Sequence, residues 1–172
     1  MSDAPAADVL KDLLRHGLKA VFCGTQAGSQ SARRGAYYAG RGNRFWSTLH
    51  DIGLTPVRLA PEQYAGLLAH GIGLTDVAKK TSGADSLLRR THVDVTFFEK
   101  IEKYAPRMLA FNGKRAASLA LKVPGPMLGY GRQSSMIGKT ALFVLPSTSG
   151  AASGFWDVRH WHDFAGHVGA QG

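Results

Sequence analysis

The chain has 172 residues, 44% of them hydrophobic, a formal net charge of +9 and a single cysteine. This is enough apolar material for one folded domain over residues 1–172, with its core at about 18–168, and too much for a disordered chain. Lone Cys23 excludes an internal disulfide and fits a reducing, bacterial-type cytoplasm. The positive excess points to a polyanionic partner.

Along the chain, Val9, Leu10, Leu13 and Leu14 recur at helical spacing, so a helix is expected over Asp8 to His16, closed by Gly17. Leu18 to Cys23 is a short apolar run ending at Gly24, a buried strand. A glycine-rich, aromatic and basic loop follows, reaching Asn43. That residue caps a helix with Phe45, Leu49 and Ile52 on one face, stopped by Gly53. Pro61 opens a short helix to His70. Ile72 to Asp76 is a second strand, and Lys79 to Arg90 reads as an exposed loop or short helix. Asp94 caps a helix carrying Phe97, Phe98, Ile101 and Tyr104. Arg107 to Phe111 is a third strand, Lys114 to Leu121 a helix, and Pro124 to Ile137 a loop. Thr140 to Leu145 is a fourth strand, and Trp156 to Val168 a closing helix. Strands alternating with helices give a three-layer α/β sandwich, a mostly parallel four-stranded sheet with helices on both faces. Ligands in such sheets sit beyond the C-terminal strand ends. Here those exits are Gly24–Gly28, Asp76, Asn112-Gly113 and Pro146–Gly150.

No apolar run approaches the ~18 residues of a membrane span, and the N-terminus lacks a basic region followed by an apolar one. Several chemistries lack their residues. The segment Gly24-Thr-Gln-Ala-Gly28 has no lysine for a phosphate cradle, and no dinucleotide fingerprint follows a strand. The histidines are scattered, and His160 and His162 point to different sides of a helix. No metal or organic cofactor is expected. Cys23, inside an apolar run, reads as a small buried residue.

Four segments stand at the strand exits, in this order: Phe22-Cys-Gly-Thr-Gln-Ala-Gly28, Gly42-Asn-Arg-Phe-Trp46, Gly73-Leu-Thr-Asp76 and Leu145-Pro-Ser-Thr-Ser-Gly150. Together they resemble the uracil-DNA glycosylase superfamily, in particular its mismatch-specific (thymine/uracil) branch. Tyr37-Tyr38-Ala39 and Phe111-Asn112-Gly113 also resemble the hypoxanthine-DNA glycosylase branch. The resemblance spans about 18–165. It implies a monomeric, monofunctional glycosylase that flips a deaminated base, foremost uracil, out of single- or double-stranded DNA and leaves an abasic site.

A flipped base needs a stacking ring, groups matching its edge, phosphate anchors and a wedge to fill its place. By resemblance, the catalytic positions are Gln26, Asn43, Asp76 and Ser147. Gln26 stands where the mismatch-specific branch holds its attacking water with an asparagine; it can equally bond its own loop. Asn43 is either a catalytic amide or the helix cap. Asp76 accepts from the base N–H or acts on the water. Ser147 stands where relatives carry histidine or asparagine. The base-binding set is Thr25, Tyr38, Asp76 and Asn112, with Tyr38 a stacking ring or a core lid. The DNA-binding set is Arg41, Lys79, Lys80, Arg132, Ser147, Thr148, Ser149, Gly150 and Ala151. The wedge position falls at Ala151-Ala152, which are too small, so Arg132 or Gln133 is expected to serve. Two other readings remain open: a lesion- or abasic-site-binding protein with little turnover, and an unrelated α/β nucleotide-binding enzyme.

Overall fold

The computed structural model describes residues 6–170. Five strands, β1 (Ala20–Gly24), β2 (Ile72–Asp76), β3 (Met108–Asn112), β4 (Gly131–Ile137) and β5 (Thr140–Leu145), form one sheet in the order β2-β1-β3-β5-β4. β2, β1, β3 and β5 are parallel, and β4 runs antiparallel to β5. Every residue of β1, β2 and β3 is buried. Short continuous apolar runs are what a parallel sheet covered on both faces requires.

The helices are α1 (Ser29–Arg34), α2 (Phe45–Asp51), α3 (Phe97–Tyr104), α4 (Lys114–Leu121) and α5 (Val158–Ala170). Alternate residues of β1 feed two separate cores. Ala20 and Phe22 pack with Phe45 and Leu49 of α2 and Trp161 and Phe164 of α5. Val21 and Cys23 pack with Phe97 and Ile101 of α3 and Ala116 and Ala117 of α4. Phe22 is the hub of the first face, with ring centroids 5.3 Å from Phe45 and 5.5 Å from both Trp161 and Phe164. Such aromatic contacts fix the tilt of α2 and α5 over the sheet.

The structure corrects four expectations. Residues 8–16 form no helix. Leu13 instead bridges Leu74, with its N–H donating to the Leu74 carbonyl at 2.9 Å and its carbonyl accepting from the Leu74 N–H at 3.0 Å. The outer edge of β2 has backbone groups to satisfy, and the N-terminal segment covers them. A Cβ at Gly73 would stand 2.4 Å from the Leu13 carbonyl oxygen, so glycine there is what admits the segment. Secondly, the sheet has five strands, because 131–137 is an antiparallel edge strand folded back on β5. Thirdly, the loop after β1 contains helix α1. Fourthly, the segment Lys79 to Arg90 is not exposed throughout: Lys79 and Leu88 are buried. Among the described residues, no helix is long and apolar enough to cross a membrane.

Candidate active site

The parallel strands end together, which brings Gly24, Asp76, Asn112 and the Pro146–Ser149 turn to one rim. Gly24 and Asp76 are register partners on neighbouring strands. A Cβ at Gly24 would lie 2.6 Å from Asp76 Oδ1 and 3.1 Å from the Tyr38 hydroxyl. The missing side chain is therefore what lets a carboxylate and a phenol meet over the end of β1.

Asp76 is buried, and its carboxyl is pushed up to about 6. Desolvation is the main cause. The nearby Lys79 ammonium opposes it, while the charges of Asp12 and Asp85 add to it. Tyr38 reaches this point through a left-handed backbone at φ 53°, unusual for a bulky residue. Its ring lies 4.0 Å from the Phe45 ring, and its buried hydroxyl has no hydrogen-bond partner among the described residues. Burial and the Asp76 charge raise the phenol well above its ordinary range. The Asn112 amide, within reach of that hydroxyl, pulls it the other way. Asn112 Nδ2 donates to Thr148 Oγ1 at 2.9 Å, and Oδ1 accepts from the Thr148 N–H at 3.0 Å. The second amide hydrogen of Asn112 is the one on the side of the Tyr38 hydroxyl. Strain and an unpartnered polar atom meeting at one rim mark a functional site better than either alone.

Gln26 sits on the first loop with both amide hydrogens occupied. Its Nε2 donates to the Gly83 carbonyl at 3.2 Å and the Ala84 carbonyl at 3.0 Å. Beside it, Thr25 donates to Asp85 at 2.6 Å. Burial of the carboxyl raises Asp85 above its ordinary range, and that bond and the Arg115 charge only partly oppose it, although the residue as a whole is exposed. Gln26 thus bonds a neighbouring loop, and only its carbonyl oxygen is open to a water. The N-cap of α2 is Arg44 and not Asn43, which stands one residue earlier; its Oδ1 accepts from the Phe45 N–H at 3.0 Å in a turn that leads into the helix. Asn43 also lines a cleft of about 570 Å³ with Tyr38, Arg41, Trp46 and Arg58. An equally large depression, about 580 Å³ around Arg15, Lys19 and His70, gathers at the opposite end of the sheet and is remote from these groups.

The last turn is built from its own hydroxyls. Ser147 packs against Gly113, whose φ of 103° brings the two backbones together. Ser147 Oγ accepts from the Ser149 N–H, and Ser149 Oγ accepts from the Ala151 N–H. Gly150 and Ala151 are exposed, as is Arg132 at the start of β4, on the same end of the sheet. Arg41 is exposed as well.

Three members of the expected DNA-contacting set are placed otherwise. Lys79 is buried: its Nζ is 2.9 Å from Asp12 and donates to the Tyr37 hydroxyl at 3.1 Å. Thr148 is fully buried and serves Asn112. Lys80 is half-exposed and pairs with Asp8 at 2.6 Å. An amphipathic ammonium beside a half-buried carboxylate is drawn inward, and a sequence has no signal for that pairing. Asp12 also meets Lys100 at 2.8 Å and accepts from Thr75 at 2.7 Å. The network therefore stands directly behind Asp76. Cys23 is buried with its thiol raised well above the ordinary range, so it is no nucleophile.

A sequence model of the uracil DNA glycosylase superfamily matches residues 12–162. A solution NMR structure of a candidate uracil DNA glycosylase from Methanosarcina acetivorans has a TM-score of 0.66 against this chain at 24% identity. The match covers 92% of this chain and 96% of that one. At this identity the likeness establishes the fold.

Proposed function

The chain belongs to the uracil DNA glycosylase superfamily, and we propose that it flips out a deaminated base, foremost uracil, and hydrolyses its N-glycosidic bond in base-excision repair. The observation that carries this reading is the meeting of Asp76 and the Tyr38 hydroxyl over Gly24, with the Asn112 amide beside that hydroxyl at the end of β3. Uracil and hypoxanthine each present a ring N–H beside a carbonyl. Asp76 accepts from the N–H. Asn112 and Tyr38 supply donors for the carbonyl, which gains charge as the bond to the sugar breaks. Such donors work best when they are fixed before reaction, and the two bonds between Asn112 and Thr148 fix one of them.

Water enters from the side of the first loop, where the Gln26 carbonyl accepts one of its hydrogens. Holding the amide nitrogen on Gly83 and Ala84 keeps that carbonyl in a single orientation. Attack at the sugar carbon forms the new C–O bond as the C–N bond breaks. The electron pair leaves with the base, and the proton of the water is lost to solvent. Asp76 is ionised above about pH 6, and its negative charge disfavours the departing base anion. Lys79, held behind it by Asp12, offsets that charge.

A second reading, binding of damaged or abasic DNA without turnover, is favoured by the same Gln26, since a longer side chain tied to a loop replaces the family's asparagine. Oligonucleotides carrying one uracil, hypoxanthine, xanthine or T·G mispair separate the two. Alkali-labile breaks at a lesion support the glycosylase, with uracil cut fastest. Retardation of abasic DNA with every lesion left intact would sink it.

A further inference from the structure

We propose that Phe155 is the side chain that enters the base stack and holds the place of the extruded nucleotide, an assignment that rests on the glycosylase reading above. Phe155 is 75% exposed, at the end of the 3₁₀ segment Gly150–Phe155 that continues directly from the Ser147–Ser149 turn. A single exposed apolar residue is ordinary on a protein surface. This one stands on the segment that leaves the candidate site, and the chain on both sides of it is anchored.

On one side, the Pro146 carbonyl accepts from Trp161 Nε1 at 2.9 Å. Gly150 packs so closely on the Gly42 backbone that a Cβ there would stand 3.4 Å from the Gly42 oxygen. On the other side, Trp156 turns inward. Its ring is 6.0 Å from Trp161 and carries the Arg44 guanidinium at 5.4 Å. Its N–H donates to the Ser153 carbonyl at 3.2 Å. Phe155 is thus a large flat apolar group facing water from a braced stalk, which is what a wedge requires. A loose loop would lose the benefit of stacking to the entropy of ordering.

The alternatives on this rim are poorer. Ala151 and Ala152 carry one methyl each. Gln133 donates both amide hydrogens to its own turn, at Gly129 and Gly131. Arg132 is a cation suited to phosphate. Leu87, 72% exposed, stands on the other loop of the site, which Thr25 and Gln26 tie down through Asp85, Gly83 and Ala84. Leu87 has no flat face with which to replace a base in a stack, and it does not lie on the segment that leaves the last turn. Aromatic wedges that stack between bases are a recurring device for opening a duplex.

A wedge matters only where a stack must be opened, which gives the test a ratio that a structural role would not move. Phe155→Ala is expected to lower kcat/KM on uracil in duplex DNA at least tenfold. It should leave single-stranded uracil within twofold and the thermal midpoint unchanged. Phe155→Trp restores the duplex rate, and Leu87→Ala leaves the duplex-to-single-strand ratio as in the wild type. Equal loss on both substrates, no loss on either, or a ratio that follows Leu87 instead of Phe155 would overturn the assignment. Should the wild-type protein cleave no lesion, the glycosylase reading fails first. Phe155 is then judged on an abasic duplex with 2-aminopurine opposite the gap. A fluorescence change on binding that Phe155→Ala abolishes supports it. A change that persists in the variant, or no binding by the wild type, refutes it.

Discussion

Replacing Asp76 by asparagine should stabilise the protein at neutral pH while damaging the reaction. The carboxyl rises from an ordinary 3.8 to about 6, roughly two pH units, which at about 1.4 kcal/mol per unit is about 3 kcal/mol. Because the folded-state value lies above the unfolded one, folding favours the protonated form. Its contribution is fully present below about pH 4 and is lost as pH rises through about 6. Asparagine does not titrate, and its amide hydrogens have an acceptor close by in the unpartnered Tyr38 hydroxyl. Urea unfolding of both proteins from pH 3.5 to 8 is the assay, and titrations common to the two largely cancel in the difference. The variant should match the wild type near pH 3.5 and exceed it by up to about 3 kcal/mol at pH 7.5. Cleavage of uracil DNA should fall at least tenfold, since the acceptor for the base N–H becomes an ambiguous amide. A stability difference that does not change with pH would refute the buried, desolvated carboxylate. Undiminished cleavage would remove Asp76 from the site.

Three other perturbations address the supports of the same rim. Gly24→Ala puts a methyl 2.6 Å from Asp76 Oδ1 and should abolish cleavage, whereas Gly28→Ala, with open space around its Cβ, should leave the rate nearly unchanged in the same gel assay. Lys79→Met breaks a buried ion pair but leaves Asp12 with Lys100 and Thr75. The cost in denaturant unfolding should be about 3 kcal/mol, the lower end for such pairs. Gln26→Ala forfeits two hydrogen bonds to the 83–84 loop, about 2 kcal/mol together, and should lower kcat far more than it raises KM.

Much of this arrangement was legible in the sequence. Ile72–Asp76, Lys114–Leu121 and Thr140–Leu145 occur at the bounds read from their apolar runs and flanking glycines. The strand exits that gathered the chain's odd polar residues are the exits that meet in space. Most of the failures share a cause, a partner distant in sequence. Residues 8–16 have helical spacing, but Leu13 is captured by the open edge of β2. Residues 131–137 look like a loop because an edge strand with an exposed face shows little apolar alternation. Lys79 belongs to a basic pair that reads as surface, yet Asp12, 67 residues earlier (79 − 12), takes it into the core. Thr148 was read as a phosphate contact, and only the fold shows that Asn112 occupies its hydroxyl. Phe155 carried no signal in sequence, because exposure of an aromatic residue is a property of the fold.

The central claim is hydrolysis of a glycosidic bond, and the most direct measurement follows the atoms. A uracil-containing oligonucleotide is incubated with the protein in water enriched in heavy oxygen, and the products are weighed by mass spectrometry. The account predicts free uracil without the label and an intact strand whose abasic sugar carries one heavy oxygen. An unchanged oligonucleotide, or a strand already broken without alkali, would contradict it.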